Sequence, residues 1–125
     1  MEDAEDTGGF YQEDNGEVPL LDWLAEIPKK ALVKCRLKIA RLHELGHELH
    51  RLEADYLRDE IYELRVSLQG LHYRLLYFFH GSVAAVVSHG LVKEQKVPPK
   101  DIELARKRKT RFEQNPRQHT YEEPA

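Results

Sequence analysis

Two arginines, Arg65 and Arg74, sit inside the otherwise apolar runs IYELRVSL and LHYRLLYFF. In a strand packed on a core, a guanidinium costs several kcal/mol, about the penalty for desolvating an ion, unless a carboxylate or ligand meets it. Side chains alternate along a strand, so Arg65 shares a face with Ile61 and Glu63, and Arg74 shares one with His72, Leu76 and Phe78. Either arginine could close a buried ion pair with Glu63 or Asp59. Alternatively, both could project from neighbouring strands onto one open face, joined by Lys93 and Lys96 from the end of the next strand. Four cations so placed suit a phosphodiester. Guanidinium forks hold phosphate oxygens and stabilise the extra charge of a pentavalent transition state. Spacing alone weighs the two arrangements equally.

A second constellation is His43-Glu44-Leu45-Gly46-His47, a literal H-E-x-x-H zinc signature. On one helix face the two imidazoles could share a zinc ion while Glu44 activates a bound water. Gly46 falls inside the motif and reads as a helix end, which takes His47 out of line. The longer metzincin pattern needs Gly at 50 and His at 53, where this chain has His50 and Glu53. Surface histidines are therefore preferred to a metal site.

The elements that must carry these residues follow from the hydrophobic pattern. Phe10 and Tyr11 begin a short strand, closed by Asp14-Asn15-Gly16. Pro19 opens a helix around Leu20, Leu21 and Leu24, and a second runs from about Pro28 to Leu45 with Gly46 as its cap. In the second helix Leu32, Cys35, Ile39 and Leu42 make one apolar stripe, and Val33, Leu37 and Ala40 another. His47–Tyr56 reads as a connector. Leu57–Val92 then gives three antiparallel strands with turns at Gln69-Gly70 and His80-Gly81. The middle one is apolar on nearly both faces, as a covered central strand would be. Pro98-Pro99 precedes a helix from about Lys100 to Gln114, with Ile102, Ala105 and Phe112 inward. The order β-α-α-β-β-β-α predicts an α+β domain: a small antiparallel sheet with helices packed on one face. Residues 1–9 are expected to be a disordered acidic segment, 10–116 the folded domain, and 117–125 a polar tail.

Composition narrows the class. A chain of 125 residues is one domain able to bury a core. No apolar run approaches the roughly 20 residues that span a bilayer, and the N-terminus has no export pattern. A single cysteine, Cys35, rules out an internal disulfide and suits a reducing cytoplasm. Seven of the 22 acids lie in residues 1–17, which have no Lys or Arg. The remainder has 19 basic against 15 acidic residues, with Arg106, Lys107, Arg108, Lys109 and Arg111 crowded together. That face could hold a polyanion, or it could be a solvated helix surface.

The blocks EADYLRDEIYELR, YRLLYFFHG and SHGLVKEQKVPPKDIELARKR, in this order, resemble the HigB-like, phage-derived branch of the RelE/ParE toxin superfamily. The resemblance runs from about Phe10 to Pro124. It implies a RelE-like fold and the toxin of a type II toxin–antitoxin system. By that resemblance the chain would be a metal-independent endoribonuclease cutting mRNA on the ribosome, without a cofactor, in the cytoplasm. Its partner would be a helix-turn-helix, HigA-like antitoxin with which it forms an oligomer. The resemblance places Arg65, Arg74 and Lys93 in catalysis; Lys96, Lys100, Tyr73 and His89 are the residues expected to bind RNA beside them. No general base stands out among Tyr62, Tyr73, His89, His119 and Tyr121. The chain departs from the pattern at Glu60 and Leu52, where glycine and proline are expected, and at Glu94 in place of a second lysine. A ParE-like toxin that binds gyrase without cutting RNA, and a zinc peptidase at His43 and His47, are the alternatives.

Overall fold

A computed structural model of the chain describes residues 9–49, 53–81, 84–92 and 96–123. Its elements are β1 (Gly9–Tyr11), α1 (Pro19–Leu24), α2 (Lys29–Leu45), β2 (Ala54–Arg58), β3 (Ile61–Leu68), β4 (Leu71–His80), β5 (Ala84–Val92), α3 (Pro99–Gln114), α4 (Pro116–His119) and β6 (Thr120–Tyr121). One six-stranded sheet has the order β2-β3-β4-β5-β1-β6, antiparallel except where β1 runs parallel to β5. The α+β class and the RelE-like arrangement follow the sequence expectation.

Three features differ from it. The meander has four strands, because β2 occupies part of the segment read as a connector. Asp55 and Arg58 hide its pattern, and pairing with β3, Ala54 opposite Leu64 and Tyr56 opposite Tyr62, makes the strand. The helices lie on both faces. Leu20, Leu24, Cys35, Ile39 and Leu42 from α1 and α2 pack on Leu64, Val66, Leu75, Tyr77 and Val87. On the other face Ile102, Ala105 and Phe112 of α3 cover Ile61, Leu76, Phe78 and Val86. The apolar character of β4 on both faces requires this second layer. Finally, the segment from 117 is ordered as far as its short strand. Thr120 and Tyr121 pair with Tyr11 and Phe10, and the His119 ring stacks on Tyr11 at 5.2 Å. The expected disorder of residues 1–9 fails at Gly9, which begins β1, and for the other eight lies outside the described residues.

Local chemistry sets the joints. Asn115 caps α4 by accepting from the Gln118 amide. Glu53, at the start of β2, accepts from Arg41 Nε and Nη2 at 2.7 Å each and from Lys38 Nζ at 3.0 Å. Those bonds, Arg41 first, hold its carboxyl down to about 2 and tie α2 to the rim of the sheet. On the other side of the molecule, Glu13 accepts from Arg108 Nη2 at 3.1 Å and lies 3.6 Å from Arg111 Nη1. Arg106 pairs with Glu103, and Lys109 with Glu60 and Glu113. Much of the basic cluster on α3 is thus answered by carboxylates within the fold.

The β2–β3 turn bears on Glu60, where the resemblance leads one to expect glycine. Asp59 and Glu60 both have positive φ, 53° and 65°. A left-handed conformation costs a non-glycine residue about 1–2 kcal/mol, and at Glu60 the side chain offsets it with no more than an ion pair to Lys109 at its exposed end. Glu60→Gly is therefore expected to stabilise the fold by somewhat under 1 kcal/mol once glycine's greater unfolded-state entropy is subtracted. A rise in thermal midpoint of about 3 °C would register it.

Candidate functional site

The half of the sheet face left uncovered by α3 carries the charged residues. Strand register brings Arg65 directly opposite Arg74, Glu63 opposite Leu76, and Asp55 opposite Glu63. Alternation puts all four charged side chains on one face. Glu63 sits at the centre, its side chain 3% exposed, with Oε2 accepting from Arg65 Nε at 2.9 Å and Oε1 from Arg74 Nη1 at 2.6 Å. Arg65 Nη2 donates to Asp55 Oδ2 at 3.0 Å. Both arrangements raised by the sequence are met in part. The arginines do close an ion pair, with Glu63 and with Asp55 rather than Asp59, which is bound to Arg58. They also stay in reach of solvent: Arg65 is 39% and Arg74 16% exposed in its side chain.

Chemically this is a pair of forks aimed by one carboxylate. Glu63 spends an oxygen on each guanidinium, so it sets their planes and spacing. Arg74 gives only Nη1 to it, and its Nε and Nη2 make no hydrogen bond among the described residues. Next to the arginines, Ser67 of β3 faces His72 of β4, with Oγ and Nδ1 3.1 Å apart. Arg65, Ser67, His72 and Arg74 therefore form a rectangle of two guanidiniums, a hydroxyl and a partly exposed imidazole. His72 was visible in the sequence as a face-neighbour of Arg74. What singles it out is its place in the register, which a single strand does not reveal.

The other anticipated residues scatter. Lys93 and Glu94 lie outside the described residues. Lys96 is exposed ahead of α3, and Lys100 is exposed in its first turn. Tyr73 is buried on the opposite face, packed edge-on to Trp23 at 6.2 Å. This follows from alternation, since its neighbour Arg74 takes the open face. Tyr62 lies on that opposite face too, with the α1–α2 core. Tyr121 stacks on Phe10, and His119 on Tyr11.

His89 is on the arginine face but buried beneath α3, between Ser88 Oγ at 2.8 Å and Asp101 Oδ1 at 3.3 Å. Burial, and then the charge of Arg108, push its imidazole below the usual range against the pull of Asp101. Ser88 is fully buried at the bulge where β5 shifts register, and Arg108 Nη1 donates to its hydroxyl at 3.4 Å. This Asp-His-Ser line therefore has no access to a substrate and ties β5 to α3.

The H-E-x-x-H run does not present its imidazoles together. Gly46 takes φ 55° and ends the helix. His47 then turns onto Phe79, ring centroids 3.6 Å apart, while His43 lies 5.9 Å from the Phe10 ring. No cluster of three metal-ligating side chains occurs among the described residues. Nor is any helix among them long and apolar enough to cross a membrane.

A search of curated proteins gave no match. A family model, described as phage derived protein Gp49-like (DUF891), matches residues 22–110, a span that contains α2, the β2–β5 meander and most of α3. The chain belongs to the Gp49-like family of phage-derived proteins.

Proposed function

We propose that this protein is the toxin of a type II toxin–antitoxin pair and that it cleaves mRNA held in the ribosome. The observation that carries this reading is the opposed pair Arg65 and Arg74, aimed by Glu63 on an uncovered half of the sheet. An RNA 2′-hydroxyl attacks its own adjacent phosphorus, and the bond from phosphorus to the 5′ oxygen breaks. A 2′,3′-cyclic phosphate and a 5′-hydroxyl result. Such a step needs in-line alignment and charge stabilisation, which the free edge of Arg74 and the half-exposed Arg65 supply. Lys96 and Lys100, exposed before and in the first turn of α3, would add further positive charge for RNA.

His72 is the proton carrier in this reading. It is the imidazole within the arginine rectangle, and imidazole is the side chain suited to moving protons near neutral pH. Its action takes the proton from the 2′-hydroxyl or returns one to the 5′ oxygen. His72→Ala is expected to lower the cleavage rate by about a hundredfold and flatten its pH dependence, the scale of lost general acid–base catalysis. An unchanged pH–rate profile would remove His72 from that role.

Control would come from a helix-turn-helix antitoxin that covers or distorts the arginine face. Pulsed induction in growing cells tests the class of activity. Amino-acid incorporation should stop within minutes while plasmid supercoiling is preserved. Normal incorporation with lost supercoiling would instead identify a gyrase-directed toxin.

A further inference from the structure

Beside the rim strand β2, on the α2 face of the sheet, lies a cavity of about 240 Å³ that the arginine chemistry does not use. Its wall is mainly aromatic: His47, Tyr56, Tyr62, Tyr77 and Phe79. Tyr62 stands at the centre, parallel to Tyr77 at 5.3 Å and edge-on to Tyr56 and Phe79 at 5.2 and 5.3 Å. Most of these rings have an ordinary part in the core. Tyr56 does not. It is 52% exposed, on an edge strand, yet its hydroxyl accepts from the Glu60 amide at 3.1 Å. An exposed ring anchored at its far end is a prearranged flat surface, with little side-chain freedom left to lose on binding.

We infer that this cavity takes one unstacked base of a single-stranded RNA, seated against Tyr56 and Tyr62. The volume is below that of ordinary small-molecule pockets and suits a single planar ring system better than a helix or a strand of side chains. Aromatic walls are the usual means of holding an unpaired base, because every base offers a π-face. Asp55 supplies the link to the arginines. It borders the cavity from the rim strand, while its carboxylate lies on the other face of the sheet and receives Arg65 Nη2 at 3.0 Å. A strand with its phosphate at Arg65 and Arg74 therefore reaches this pocket by passing the β2 rim. The inference rests on the proposed RNA-cleaving role and adds a contact for the base.

The test uses the full chain and two hexamers that cannot be cut. One is a mixed-sequence RNA, 2′-O-methylated throughout, and the other is the same backbone with every base removed. Binding is followed by chemical-shift titration. Tyr56→Ala should weaken binding of the RNA about tenfold and leave the abasic strand unaffected, whereas Tyr56→Phe, which keeps the ring, should match the native protein. Arg74→Ala should weaken both strands. Equal RNA affinity in native protein and Tyr56→Ala overturns the pocket while the arginine site stands. Weakening by Tyr56→Ala with no effect of Arg74→Ala keeps the pocket and removes the arginines from phosphate binding. No binding by the native chain, or loss of a co-purifying antitoxin with RNA binding intact, also overturns the inference.

Discussion

Replacing Arg74 by alanine is expected to lower RNA cleavage by about 10²–10³-fold, the scale lost when one preorganised charge-stabilising donor is removed. The fold should survive. Arg74 is partly exposed, Glu63 keeps Arg65 as a partner, and the β3–β4 pairing depends on backbone rather than on this side chain. Arg74→Lys should recover little activity, because an ammonium cannot donate to Glu63 through Nη1 while presenting two further nitrogens outward. Quantifying cleavage by both variants, with circular dichroism as the control, checks the claim. Activity within threefold of native in the folded alanine variant would place the chemistry elsewhere.

Glu63→Ala should cost more stability than any other change in the cluster. Its side chain is 3% exposed and spends one oxygen on each arginine. Removing one partner of a buried pair leaves uncompensated charge and costs about 3–5 kcal/mol. Arg65 can turn outward and retains Asp55, so the lower end applies, about 3 kcal/mol. With a urea m-value near 2 kcal/mol/M for a small domain, the midpoint should fall by about 1.5 M. Cleavage should fall as well, since the carboxylate sets the spacing of the forks. An unchanged midpoint would show that both guanidiniums find water without cost, and that Glu63 does not organise the site.

The sequence carried the fold further than the site. Caps, prolines and apolar periods marked α1, α2 and α3, and the apolar runs marked β3, β4 and β5, because those signals are local. β2 was not legible: its charged residues break the alternation, and only its partner β3 makes it a strand. The order of the C-terminal segment was hidden for the same reason, since β6 exists through its pairing with β1. Alternation could have excluded Tyr73 from the face of Arg74. The part played by Glu63, bridging two arginines on two strands, depends on cross-strand register, as does the rectangle that includes His72. The stripe of Val33 and Leu37 on α2 is exposed, so a helical period there did not imply burial.

Primer extension on cellular messages after brief induction tests the central claim most directly. The native chain should produce new 5′ ends within translated reading frames, in register with codons, and Arg74→Ala, made in equal amount, should produce none. Absence of new ends from the native chain while growth stops, or the same ends from Arg74→Ala, would contradict cleavage of mRNA at the arginine pair.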